Sequence, residues 1–190
     1  MDVRRAWIPV LGFGIMAGAS IAYGQARRPL PDAGDWFVEV AGHSDWRYHE
    51  SGCIVTSAGD VYTYQGDKPG QRADDAGHDT LYDGAYLSKR LGADFVVAPV
   101  LNAAENKGLA DIGSWLRQAA KGKLAHKQDR YDAGERAITA WFRVDAAHYQ
   151  AVVLAGDGDF VVTNPEPAAA RTLARLKQIA RTDCDFKRLF

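Results

Sequence analysis

The most constraining stretch of the chain is residues 136–184, because it reads as three adjacent strands followed by the helix that must cover them. Ile138, Ala140, Phe142 and Val144 alternate with Thr139, Trp141 and Arg143, the period of two expected of a half-buried strand. Tyr149, Ala151, Val153 and Ala155 alternate with His148, Gln150, Val152 and Leu154. Both faces of this second strand are largely apolar, so the sequence predicts a covering element over it. Asp157-Gly158 supplies a tight turn, since Gly accepts positive φ, and 160–163 returns as a third strand. Asn164 then offers a helix cap and Pro165 a first helical position. Ala169, Leu173, Leu176 and Ala180 follow at one-face spacing.

The earlier part of the chain predicts four more strands and two more helices. Trp36, Val38 and Val40 share one face of a strand over 36–40, and 42–52 reads as a polar, aromatic loop. Strands over 53–56 and 61–64 are joined by Ser57-Ala58-Gly59-Asp60, a hairpin composition. Residues 65–77 read as a loop. Asp79 is the expected cap of a short helix running to Leu91. Residues 95–98 form a short apolar strand stopped by Pro99. Leu109, Ile112, Leu116 and Ala119 recur at helical spacing, ended by Lys121-Gly122, and 123–134 reads as a loop. Hairpins interrupted by helices predict an α+β fold: a mainly antiparallel sheet of about five to seven strands covered by two or three helices.

The amino terminus assigns the compartment. Arg4 and Arg5 precede an apolar run over 6–22, and Gly24-Gln25-Ala26 fits a small-x-small cleavage site. That is the anatomy of a secretory signal peptide over residues 1–26, with one domain expected over residues 27–190. The apolar run is shorter than a membrane-spanning helix needs and is rich in Gly, so an uncleaved anchor is the weaker reading. Arg4-Arg5 allows twin-arginine export, but Val3 before the pair favours the general route. The expected location is periplasmic or secreted, with no membrane span in the mature chain.

Removing the segment takes Asp2, Arg4 and Arg5 from a chain of net charge −1, which leaves −2. That balance gives no reason to expect nucleic acid. Acidic residues concentrate between Asp32 and Asp83 and basic ones after Arg171, where Arg171, Arg175, Gln178 and Thr182 form a stripe on the last helix. These ends attract one another in the fold or present a patch to a charged partner.

The chain has 2 cysteines, Cys53 and Cys184. An even pair in an oxidising compartment predicts a disulfide. A bridge closing so long a loop would stabilise the fold by up to about 5 kcal/mol on the chain-entropy estimate.

Two further constellations bear on chemistry. Cys53, His148 and Asn164 stand in the chain order of a Cys-His-Asn hydrolase. His148-Tyr-Gln-Ala-Val-Val, with Thr163-Asn164-Pro165 after it, resembles the His and Asn segments of papain-like enzymes. The resemblance implies a thiol nucleophile, acting here on peptidoglycan or peptides. Such enzymes place the Cys at a helix amino terminus, whereas Cys53-Ile-Val-Thr reads as strand. A structural reading, with a disulfide, a His at a strand start and a helix cap, therefore stands beside it. His43, Asp45 and His49, with His78 and Asp79 further on, are the weak metal candidates, and their spacing matches no compact zinc motif. No metal and no cofactor is expected.

The remaining signal is aromatic. If Ile138, Ala140 and Phe142 face the core, Trp141 faces away from it between Thr139 and Arg143. Tyr62 and Tyr64 share a strand face, and Trp46 lies in a loop. Exposed Trp, Tyr and Arg anchor protein partners and stack on sugars. The sequence therefore predicts an exported, non-catalytic binding protein whose partner is a protein, in the manner of an inhibitor or immunity protein. The alternatives are the small cysteine hydrolase and a cell-wall glycan binder.

Overall fold

The computed structural model describes residues 34–44, 49–66, 77–90, 96–97, 107–128 and 134–179. The signal peptide expected over 1–26, Trp46, Asp45, Thr182 and Cys184 lie outside them. Among the described residues the fold is α+β, a mainly antiparallel sheet with three helices. The strands are β1 (Trp36–Ser44), β2 (His49–Thr56), β3 (Val61–Gly66), β4 (Leu81–Asp83), β5 (Val96–Val97), β6 (Ala125–Gln128), β7 (Arg136–Arg143), β8 (His148–Asp157) and β9 (Phe160–Thr163). The helices are α1 (Gly84–Arg90), α2 (Ile112–Ala119) and α3 (Pro167–Ile179).

Sheet order is β5-β3-β2-β1-β7-β8-β9-β6, and β4 pairs with β8 beside this path. The seven expected strands are all present. The two that the sequence did not predict, β4 and β6, lie at the β8 edge and at the end of the sheet. The expected loop over 42–52 is shorter than read, because β1 continues to Ser44 and β2 starts at His49, pairing Ser44 with His49.

Helix boundaries differ for local reasons. Asp79 does not cap α1: it has φ +62° and sits on the β8 edge, where its N–H donates to Ala151 O. Asp83 is the cap, since its Oδ1 accepts from the N–H groups of Ala85 and Tyr86 at 2.6 and 3.2 Å. At α3 the first helical Pro is Pro167 rather than Pro165, and the carbonyl of Glu166 opens the helix by accepting from Ala169.

The sheet is covered on both faces. Val38, Cys53, Val55, Ile138, Ala140, Phe142, Val152 and Leu154 form one core with Ile112 and Leu116 of α2 and Ala169 and Leu176 of α3. The two helices brace each other: Arg171 donates to Gln118 Oε1 at 3.2 Å, and Arg175 Nε donates to Gly108 O at 2.9 Å. The basic stripe expected on the last helix is thus partly spent on packing.

The opposite face carries a second core of Phe37, Ile54, Tyr62, Trp141, Tyr149 and Ala151 under Leu87 of α1. Trp141 stacks on Phe37 with centroids 5.8 Å apart and meets the edge of Tyr82 at 5.0 Å. Helix α1 is 7 residues long and sits at the Tyr149 end of β8. Past it, the same face of the sheet changes from large to small side chains: Thr139 and Ala137 on β7, Val153 and Gly156 on β8.

Candidate functional site

The small residues leave a hollow. A cavity of about 380 Å³ opens over Ala137, Thr139, Val153 and Gly156, between His78 and Gly77 on one side and Phe160, Val162, His126 and Glu135 on the other. Its outer wall is the β6–β9 ribbon. Strand β9 pairs with β8 at only two positions, Ala155↔Thr163 and Gly156↔Val162, and is otherwise held by β6. The ribbon therefore runs on beyond the β8 edge, and no helix among the described residues covers the space it flanks.

A bulge shapes the floor. Ile138 pairs with Ala155, but Thr139 pairs with Val153, so Leu154 is an extra residue on β8. The outward backbone groups of Val153, on the β8 edge between the β4 and β9 pairings, are taken up by two side chains. Val153 N–H donates to His78 Nδ1 at 3.3 Å, and His78 Nε2 lies 2.7 Å from Gly122 O. A carbonyl can only accept, so the ring carries its proton on Nε2 and accepts on Nδ1. Asn164 does the complementary work. Its Nδ2 donates to Val153 O at 3.1 Å and to Ala119 O at 3.0 Å, and its Oδ1 accepts from Glu166 N–H at 3.1 Å. Both residues thus tie the bulge to the carboxyl-terminal turn of α2.

Thr139 is the unusual member of the floor. It is 0% exposed, and its Oγ1 has no hydrogen-bond partner. The residue opposite it on β1 is the buried Glu39. A buried hydroxyl left unsatisfied costs about 1–3 kcal/mol. Thr139→Val keeps the shape and removes the hydroxyl, so it is expected to raise stability by about 1 kcal/mol in urea unfolding. No gain, or a loss, would show that the hydroxyl is satisfied in the folded protein.

The residues expected to carry function fall elsewhere. Trp141, Thr139 and Tyr62 are buried, and Arg143 is half-buried, its guanidinium donating to Tyr149 OH at 2.7 Å and Gly34 O at 3.2 Å. The expected aromatic binding face is therefore corrected at these residues: it is the second core, because α1 and Tyr82 close over it. The side chain of Tyr64 lies outside the described residues, as does Trp46. Among the described residues the exposed aromatics are Tyr86, which stacks on Tyr82 at 6.1 Å and 20°, and Phe160.

Cys53, His148 and Asn164 are not brought together. Cys53 stands in one row with Val40, Ile138 and Ala155 across β2, β1, β7 and β8. That is three strand spacings, about 14 Å. His148 is at the other end of β8, about 23 Å further along at the ordinary strand rise. Cys53 is buried mid-strand and is not a free thiol. His148 is exposed, and its Nδ1 lies 2.9 Å from Asp145. Hydrogen bonds from Ala147 N–H and from His148 hold the Asp145 carboxyl below the usual carboxylate range. Asn164 is buried in the bulge. The Cys-His-Asn arrangement is therefore corrected to three separate structural roles.

Among the described residues no three His, Cys, Asp or Glu side chains converge on a point where a metal could sit. The side chains of His43 and His49 lie outside them, and both ring nitrogens of His78 are engaged. No described helix is long and apolar enough to cross a membrane. Comparison with protein-family models, with curated proteins and with solved structures finds no match.

Sequence reasoning missed the cavity. Its one signal was the run of small residues sharing a face, Ala137, Thr139, Val153 and Gly156, beside large ones further along the same two strands.

Proposed function

We propose that the chain is an exported binding protein without catalytic activity, and that its ligand occupies the cavity over Ala137, Thr139 and Val153. The observation that supports this reading is the cavity itself: a hollow of about 380 Å³ with an apolar floor and polar groups at its mouth, the general form of a small-molecule site. Export is supported by the basic and apolar pattern of residues 1–26 and by Cys53 being other than a free thiol. A Cys53–Cys184 bridge in an oxidising compartment accounts for both. A protein partner or a cell-wall glycan, expected from outward aromatics, loses its support where those aromatics are core.

Val162→Trp tests the reading. Val162 is half-buried on the cavity wall, and a strand accepts Trp readily. The exported protein is purified without denaturation, and small molecules released from it are measured by mass spectrometry. One compound recovered with the wild type and lost from Val162→Trp is the expected result. Equal recovery from both proteins, or none from the wild type, would overturn it.

A further inference from the structure

We infer that the cavity takes an aromatic molecule of about two fused rings, which enters by its apolar end and keeps its polar substituent at the mouth. This rests on the cavity being the binding site. Three observations set the chemistry. First, a cavity of about 150 Å³ accommodates one benzene ring, so the larger volume of about 380 Å³ here takes more than one. Gly156 keeps that room: a Cβ on it would stand beside Val162 of the lining, 3.3 Å from its Cβ, and 3.5 Å from Arg136 O.

Second, the floor offers a ligand no hydrogen-bonding group from its side chains. Ala137, Val153 and Gly156 carry none, and Thr139 Oγ1 is sealed from the cavity. Both ring nitrogens of His78 are committed, to Val153 N–H and to Gly122 O. The main chain is engaged as well: Ala137 and Thr139 lie in the ladder between β1 and β8, and Asn164 binds Val153 O. A polar group carried to the floor would lose its water and find no partner, so the end that enters is apolar. Third, the wall is aromatic. Val162 and Phe160 alternate onto one side of β9, and His126 stands opposite Val162 on β6, so all three side chains share the ribbon face that lines the cavity. Phe160 and His126 are both exposed, which leaves two rings accessible to a flat ligand and gives its polar substituent water.

The probes are 2-naphthol, its saturated analogue decahydro-2-naphthol, and 2,6-dihydroxynaphthalene, which cannot enter without burying a hydroxyl. Each is titrated into the labelled protein and followed by amide chemical shifts. 2-Naphthol is expected to shift Val153, Gly156 and Val162 and to bind about tenfold more tightly than the diol, the effect of one hydroxyl desolvated without a partner. It is also expected to bind more tightly than decahydro-2-naphthol, by a ratio that falls about threefold in Phe160→Leu, which keeps an apolar side chain and removes the ring. A diol bound as tightly as 2-naphthol, or a ratio unchanged in Phe160→Leu, would overturn the ligand class while leaving the cavity as a site. Probes that move none of the three amides would remove the site and the ligand class together.

Discussion

Trp141→Ala is expected to lower stability by about 4 kcal/mol, the cost of emptying a fully buried aromatic site. The indole lies between Phe37 and Tyr82 and is sealed from solvent by the segment that leads into α1. The loss is a large fraction of the 5–15 kcal/mol that keeps a typical domain folded. Equilibrium unfolding in urea measures it. The two readings of this side chain separate cleanly. A Trp on an exposed binding surface would cost within about 0.5 kcal/mol when truncated and would show its effect in partner affinity. A Trp of the second core shows its effect in the unfolding midpoint.

Asn164→Ala is expected to cost nearly as much, about 3–4 kcal/mol, although it removes few atoms. The side chain satisfies Val153 O, Ala119 O and Glu166 N–H, and a buried polar group left without its partner costs about 1–3 kcal/mol. Asn164→Asp at neutral pH should be at least as damaging, because a carboxylate would face two carbonyl oxygens. That carboxyl would hold its proton in the folded state more tightly than in the unfolded one. Its folded pKa would therefore be raised, and the protein should regain stability as the pH falls through that raised value. Unfolding midpoints at two pH values measure this. A catalytic Asn would behave otherwise, losing activity with a nearly unchanged midpoint.

These two residues show what alternation in a sequence can and cannot reveal. The period of two along 138–144 places Trp141 opposite Ile138, Ala140 and Phe142, and the structure has it there. Alternation assigns a face but does not say what covers that face. The cover here is α1 together with Tyr82 of β4, and neither announces itself: β4 is a three-residue strand, and Gly84 weakens the helical signal that follows. Residues Ala125–Gln128 read as loop because the stretch is polar; all four side chains are exposed, so β6 has no hydrophobic pattern to mark it. It is a strand because β9 offers it four backbone partners.

The cavity depends on both omissions. It needs β6 to hold the β9 ribbon and the edge segment around His78 to close its other side. It also needs the bulge at Leu154, which changes the register of β8 against β7 and which no local composition marks. Asn164 reads in the sequence as a helix cap, but α3 starts at Pro167 and Asn164 Oδ1 accepts from Glu166 N–H just before it. Its role, binding Val153 O beside the bulge and Ala119 O at the end of α2, arises only from three segments meeting. Cys53 was legible as strand, and that already argued against a nucleophile at a helix amino terminus.

The most direct test of the account is a crystal structure of the protein soaked in 2-naphthol. The cavity reading predicts density for the ring system over Val153 and Val162, between the β6–β9 ribbon and the segment around His78. Naphthol found only on the exposed Tyr86 surface, or beside Trp141 with the second core opened, would contradict it.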